Sequence, residues 1–196
     1  MTTLPPLDLR QLRVLVAHPR DAEGEVLLRQ LQRSGARVEC VWPAPPALPT
    51  GIDVLFALLG SEPKGALAWL GSPPPCALVA LFEPADAAGM RNVVDCSPQA
   101  VIVKPIAASC VLPSLALAHA NFRYERRLLS KIGKLEETLR SMRKVEQAKS
   151  ILMKQKRLPE PEAYRYLRQQ AMNRRVSIGA VASAIIEAAD ILREES

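Results

Sequence analysis

A chain of 196 residues with 48% hydrophobic and 23% charged residues has the composition of a folded globular protein and not of a disordered one. No apolar run reaches the roughly 18–20 residues that cross a bilayer, and the start, MTTLPPLDLRQLRVLV, lacks the basic-then-apolar order of a secretory leader, so the expectation is a cytoplasmic protein with no membrane role. The net charge of +6 is unevenly spread: residues 1–120 carry 9 Lys/Arg against 10 Asp/Glu, and residues 121–196 carry 17 against 10, which points to a polyanion partner for the back of the chain or, more plainly, to a solvated basic helical surface.

The prolines mark the same boundary, since 15 of the 17 lie at or before Pro113 and only Pro159 and Pro161 follow. Proline removes a helix donor and clashes with the preceding turn, so the front is loop-rich and the back is free to form long helix. In the front, Leu12–His18 is a short apolar run closed by Pro19. Residues 23–34 have helical spacing through Val26, Leu27 and Leu31, with Gly35 as the stop. A strand at Arg37–Val41 follows, then the apolar runs Asp53–Leu59, Ala77–Phe82 and Ala100–Lys104. Unbroken apolar runs separated by helical patterns predict central strands of a parallel sheet with helices on both faces. The count and spacing resemble a receiver domain, a flavodoxin-like doubly wound α/β fold. The proline-rich segments Trp42–Pro49 and Ser72–Pro75 read as stiff surface loops. Cys40, Cys76, Cys96 and Cys110 form no CxxC pair and have no nearby histidine, so they read as small buried thiols and not as metal ligands.

A phosphorylatable receiver needs acidic residues after its first strand to hold Mg²⁺ by carboxylate oxygens, and an aspartate at the end of its third strand. Here the first strand ends Ala17-His18-Pro19, the third ends Ala57-Leu58-Leu59, and Leu81-Phe82-Glu83 stands where a hydroxyl residue follows the fourth. Asp53 is at the wrong end of its strand. Only Lys104-Pro105 matches the receiver pattern, with Asp21 as a remnant acid. His18, Leu58 and Lys104 thus mark a degenerate site with no catalytic residue, metal or cofactor. The domain is expected to be a pseudo-receiver that does not undergo Mg²⁺-dependent phosphorylation.

Past Pro113, taken as a first-turn residue, no strong breaker except Gly133 occurs before Pro159. Leu128, Ile132, Leu135, Leu139 and Met142 follow the 4-3-4-3 spacing of a coiled-coil seam, with Leu115, Phe122 and Leu129 on a seam shifted by one residue upstream. The alternatives are packing within one chain and a parallel homodimer; the shortage of remaining chain to cover the seam favours the homodimer. The expected division is a pseudo-receiver over residues 1–120, a coiled-coil linker helix over 121–143 and a three-helix module over 144–196. In that module one helix ends near Arg157, a second opens at Pro161 and runs to Arg175, and a third follows the N-cap Ser177 to about Arg193.

The tail pattern Glu146-x-Ala148-Lys149-x-x-Leu152-Met153, Ala163-Tyr164-x-x-Leu167-Arg168-x-x-Ala171-Met172, Ser177-Ile178 and Val181-Ala182 resembles the ANTAR domain, a family of bacterial RNA-binding antitermination modules. The whole layout is similar to that of the amidase-operon antitermination regulators. The resemblance implies a homodimer that binds paired hairpins of a leader mRNA and prevents a terminator from forming. It also implies control by a ligand-sensing protein of the amide-binding type that sequesters the regulator. Residues 140–175 hold 11 Lys/Arg against Glu146, Glu160 and Glu162, a cluster suited to phosphate contacts. Loop bases call for donors and stacking planes. Lys149, Arg165 and Arg168 are the candidates for bases, Arg143, Lys144, Arg174 and Arg175 for phosphates, and Tyr166 for stacking. Tyr164 is read as core beside Ala163, Leu167 and Ala171. Any one of these cations could be an ordinary solvated side chain; the cluster carries the reading.

Two rival readings are a DNA-binding response-regulator-like factor and a coiled-coil scaffold that binds no nucleic acid. The first needs a polar, basic recognition helix, whereas the last helix here is apolar and ends on Glu187, Asp190, Glu194 and Glu195. The second leaves the basic cluster without a purpose. An enzyme is not expected, because no nucleophile–base pair, metal cluster or glycine-rich phosphate loop is present.

Overall fold

The computed structural model describes residues 9–60, 74–84 and 87–194. Strands β1 (Arg13–Ala17), β2 (Arg37–Val41), β3 (Val54–Leu58), β4 (Ala77–Phe82) and β5 (Ala100–Val103) form one parallel sheet in the order β2-β1-β3-β4-β5. This is the flavodoxin-like order, with its reversal of winding between β1 and β3. The inner strands β1, β3 and β4 are buried along most or all of their length, which is why they read as unbroken apolar runs. Strands β2 and β5 lie at the edges and alternate in burial. At the N-terminal edge, Asp53 Oδ2 accepts the Arg13 N–H at 2.9 Å while the Asp53 N–H donates to the Arg13 carbonyl, also at 2.9 Å. Asp53 is therefore a clasp between β1 and β3, far from any acceptor position.

One face of the sheet is covered by α1 (Ala22–Arg33) and by the first turns of α3 (Ala108–Lys156), through Leu27, Leu31, Val111, Leu115 and Ala118. Asp21 caps α1 by accepting the Gly24 N–H at 2.8 Å, and Gly35 leaves the helix at φ +84°, where a side chain would be strained. The other face differs from the expectation of helices throughout. Val93 of α2 (Ala87–Cys96) shares its cover with Ala44 and Leu48 of the loop after β2, where four prolines preclude a helix. Ser72 and Pro73 of the second proline-rich segment lie outside the described residues. The four cysteines are free, and burial, reinforced by Asp53, pushes the Cys76 thiol up to about 11, so it stays protonated and unreactive.

Helix α3 starts at Ala108, earlier than its proline suggested, so Pro113 lies within the helix and not in its first turn. Leu115 is fully buried and Phe122 packs against the same core, so these two residues of the upstream seam are on the sheet-facing side of the helix, whereas Leu129, the third, is 48% exposed.

The chain divides into two compact units, one ending at Arg126 and one beginning at Arg127. In the second, Val145, Ala148 and Leu152 of α3 pack with Ala163, Leu167 and Ala171 of α4 (Glu160–Arg174) and with Val181 and Ala182 of α5 (Ile178–Glu194). Ser177 caps α5 as expected, its Oγ accepting the Ala180 N–H at 3.2 Å. Small residues let the helices approach closely, and the tightest point is Gly179, where an added Cβ would collide with Ser141 Oγ and stand 3.3 Å from its Cβ. Gly179→Val is expected to destabilise this unit by about 1–3 kcal/mol through overpacking, seen as earlier loss of helical circular dichroism on heating. Ala180→Val, at the exposed next position, is expected to cost less than about 1 kcal/mol, the propensity difference alone.

Candidate functional site

The receiver-type site lies at the C-terminal ends of β1 and β5. His18 closes β1 and is fully buried. Its Nδ1 lies 2.8 Å from the Pro19 carbonyl, which can only accept, so Nδ1 carries the hydrogen; Nε2 has no partner among the described residues. Gly24 makes this contact possible, because a Cβ there would collide with the same carbonyl and come within 3.0 Å of His18 Nδ1. Leu58 is partly buried and packs against the core beneath α1 and α3. No carboxylate therefore stands at the end of β3.

Lys104 supplies the positive charge of this site and is itself neutralised. Its Nζ lies 2.8 Å from Glu23 Oε2 and 3.6 Å from Glu83 Oε1. Glu23 Oε1 also accepts the Ile106 N–H at 3.1 Å, which ties the loop after β5 to α1. Partial burial pulls the Lys104 pKa down, but the bond and charge of Glu23, with Asp21 and Glu83, outweigh it and leave it raised. The bond from Lys104 holds the Glu23 carboxyl below its ordinary value. Asp21 is held low chiefly by the Gly24 N–H, so the remnant acid is a helix cap. His18, Asp21 and Glu23 each bring one potential ligand atom within 4.8 Å of the others. Both carboxylates are already committed, and the Lys104 ammonium stands where a cation's charge would otherwise be needed.

Glu23 has its pKa depressed in the folded chain, so the stability it contributes is present above its unfolded value and lost as pH falls through the folded one. Lys104→Met is expected to bring the Glu23 pKa back up to the ordinary range and to remove that part of the acid sensitivity. Carboxyl chemical shifts of Glu23 followed against pH in the two proteins measure the change directly.

The second candidate surface is the helical unit. Arg143, Arg165, Arg168, Arg174 and Arg175 are all exposed, and none has an ion-pair partner among the described residues. Arg175 caps α4 in the left-handed conformation at φ +54°, and Arg157, in the turn before α4, has the same φ. Arg157, Lys154 and Lys156 were not singled out from the sequence, although their charge was plain there. Lys144 is exposed but tethered, its Nζ donating to Ser183 Oγ of α5 at 2.8 Å.

Two placements depart from expectation. Lys149 is buried, at 8% exposure, with its Nζ 2.6 Å from Glu160 Oε1 and 2.9 and 3.0 Å from the two oxygens of Glu146. The bonds to Glu160 and then Glu146 raise its pKa, and Lys149 lowers that of Glu160. It is a joint between α3 and α4, not part of the open basic surface. The two tyrosines are opposite in exposure to what the periodicity predicts. Tyr164 is 47% exposed, whereas Tyr166 packs against the core under Lys156, whose Nζ is 4.3 Å from its ring centroid and donates to its hydroxyl at 3.2 Å. The apolar stripe of α4 is centred on Ala163, Leu167 and Ala171, with Tyr164 and Tyr166 on opposite sides of it, and the contact with Lys156 covers Tyr166. The stripe Leu128, Ile132, Leu135, Leu139 and Met142 on α3 is exposed, from 39% at Leu128 to 64% at Leu135. Among the described residues no helix is long and apolar enough to cross a membrane.

Comparison with known proteins matches both halves. The AmiR N-terminal family model matches residues 12–119 and the ANTAR domain model matches residues 133–186, starting inside the segment read as linker. The aliphatic amidase regulator of Pseudomonas aeruginosa is 32% identical over 182 residues, 91% of this chain and 92% of that one. The transcriptional regulatory protein PdtaR of Mycobacterium tuberculosis is 32% identical over 93 residues, 47% of this chain and 45% of its own. Among solved structures, the signal receiver domain of a modulated diguanylate cyclase from Desulfovibrio desulfuricans G20 aligns with a TM-score of 0.47 at 17% identity, over 59% of this chain and 99% of that one. With the front and the back of the chain both matched, and one relative aligned along nearly its whole length, the chain belongs to the AmiR-type family of ANTAR-domain antitermination regulators.

Proposed function

We propose that this protein is an RNA-binding antiterminator that acts as a homodimer and is switched by sequestration and not by phosphoryl transfer. The observation that carries the RNA reading is the set of exposed, unpaired guanidinium groups on the ANTAR-matched unit, Arg143, Arg157, Arg165, Arg168, Arg174 and Arg175. Two of these occupy left-handed backbone positions that glycine would fill at lower cost, about 1–2 kcal/mol each. Strain of this kind is retained where the side chain is needed. Cations so arranged bind phosphates with release of counterions, and the A-form groove directs base reading to unpaired loops.

Two hairpins bound by two linked units gain affinity without new contacts, and the exposed Leu128–Met142 stripe supports a coiled-coil pair that would link them. The committed Lys104–Glu23 pair supports control by a partner, for which the family points to a ligand-sensing protein of the amide-binding type.

The test is binding of the full chain to a tandem-hairpin leader RNA over a salt series, with duplex DNA of the same sequence alongside. A preference for RNA and a steep salt slope are expected; equal binding to both would reject the reading. Arg168→Ala is expected to reduce the slope by about one, whereas Lys149→Met, which removes a group already neutralised by two carboxylates, should leave the slope unchanged and lower the melting temperature. Leu135→Lys with Leu139→Lys should give a monomer by sedimentation that still binds a single hairpin but loses the advantage for two, on the order of 10²-fold.

A further inference from the structure

Residues 127–196 contain two aromatic side chains, and they differ in what they offer a ligand. The ring of Tyr166 is covered by Lys156 and its hydroxyl is bonded to the same ammonium. Tyr164 is 47% exposed, and no hydrogen bond or cation contact engages it among the described residues. Its neighbours on α4 complete a surface of distinctive chemistry. At about 3.6 residues per turn, Tyr164, Arg165, Arg168 and Met172 fall within a span of about 100° of the helix, all exposed, Met172 at 64%. No carboxylate lies within that span. Glu160, on the other side of Tyr164, is bound to Lys149, while Glu162, Gln169 and Asn173 lie beyond Arg165, the last two bonded to each other at 3.0 Å.

An aromatic ring exposed at the edge of a strip that carries two unpaired guanidinium groups and a thioether is poor design for a surface that meets only water. It suits a flat, π-faced ligand attached to negative charge: an unpaired nucleobase stacks on the ring, a guanidinium covers its other face or takes its edge, and the second guanidinium meets the adjoining phosphate. We infer that Tyr164, at the edge of the exposed strip that continues through Arg168, Met172 and Arg165, is the stacking platform for one unpaired base of the RNA hairpin loop. This rests on the RNA-binding reading above and adds to it the place where loop identity is sensed.

The experiment uses the full-length protein and synthetic hairpins with one stem and randomised loops, from which the tightest binder is selected. That hairpin and versions with an abasic site at each loop position are then titrated against the parent, Tyr164→Phe and Tyr164→Ala proteins. Tyr164→Phe is expected to keep affinity within about twofold, and Tyr164→Ala to lose about tenfold, the scale of one base stack. The salt slope should not change, because stacking releases no counterions. One abasic position should weaken the parent by a similar factor and leave Tyr164→Ala unaffected, and 2-aminopurine at that position should be quenched by the parent alone. Full affinity of Tyr164→Ala for the selected hairpin, or additive losses at every abasic position, would overturn the platform while leaving RNA binding intact. Failure of the parent protein to enrich any loop would overturn both. Helical circular dichroism matching the parent's excludes unfolding of Tyr164→Ala as the cause of a loss.

Discussion

Close packing around alanine is the constraint from which the character of the helical unit follows. Ala148, Ala163, Ala171 and Ala182 are buried where α3, α4 and α5 meet, and Gly179 is pressed against Ser141. Helices held together by such short side chains leave no interior for a long one, so the extended cationic side chains of α3 and α4 are placed outside and their charges stay in water. The exception shows the rule at work. Lys149 follows Ala148 directly, its stem is drawn into the α3–α4 joint, and an ammonium taken that far out of water must be compensated. Glu146, one turn earlier on the same helix, and Glu160, at the start of α4, supply the compensation. Packing thus separates cations that hold the unit together from cations that remain available, a separation that net charge alone does not reveal.

The same logic governs the receiver-like half. Its sheet owes its stability to β1, β3 and β4, whose apolar residues fill both faces, and none of that burial depends on the residues at the strand ends. A fold can survive the loss of its site on these terms. What cannot be left alone is Lys104, whose side chain is only 14% exposed and whose ammonium needs a counter-charge. Glu23, at the first turn of α1, meets it, and through Ile106 the same carboxylate also holds the loop that leads into α3. Asp21, two residues before, is spent on the helix cap.

Much of this was visible in the order of residues, and the failures have specific causes. Inner strands were legible because burial on both faces leaves an uninterrupted apolar run, as in Ala77–Phe82. The missing acceptor at Leu58 was legible because it needs only the end of one strand to be located. The start of α3 is not legible because Pro113 is the natural boundary to read, whereas α3 holds this proline as its sixth residue and continues through it. The exposure of Lys149 and Tyr164 differs from the sequence expectation for another reason. Periodicity gives the direction of a helix's apolar stripe to within about one residue, and Tyr164 and Tyr166 flank that stripe on opposite sides. Which flank is covered depends on Lys156, and the fate of Lys149 depends on Glu160; both pairs join α3 to α4. Glu23 lies 83 residues from Ile106, a separation over which no local pattern carries information.

The state of the receiver site also bears on how such a protein could be controlled. A switch requires two conformations and an input that binds one better than the other, and an input with no such preference shifts nothing. Here Lys104 already has a carboxylate partner at 2.8 Å, and β3 ends on Leu58 with no carboxylate, which is the ground for the proposal that the switch is not phosphoryl transfer. An external protein needs no second state of this domain: it competes for a surface, and the difference in free energy comes from what it covers. The helical unit has exposed cations and an exposed apolar stripe on α3, and under the proposed two-hairpin binding a protein that covered either one would remove the gain from linkage, because that gain requires both contacts at once.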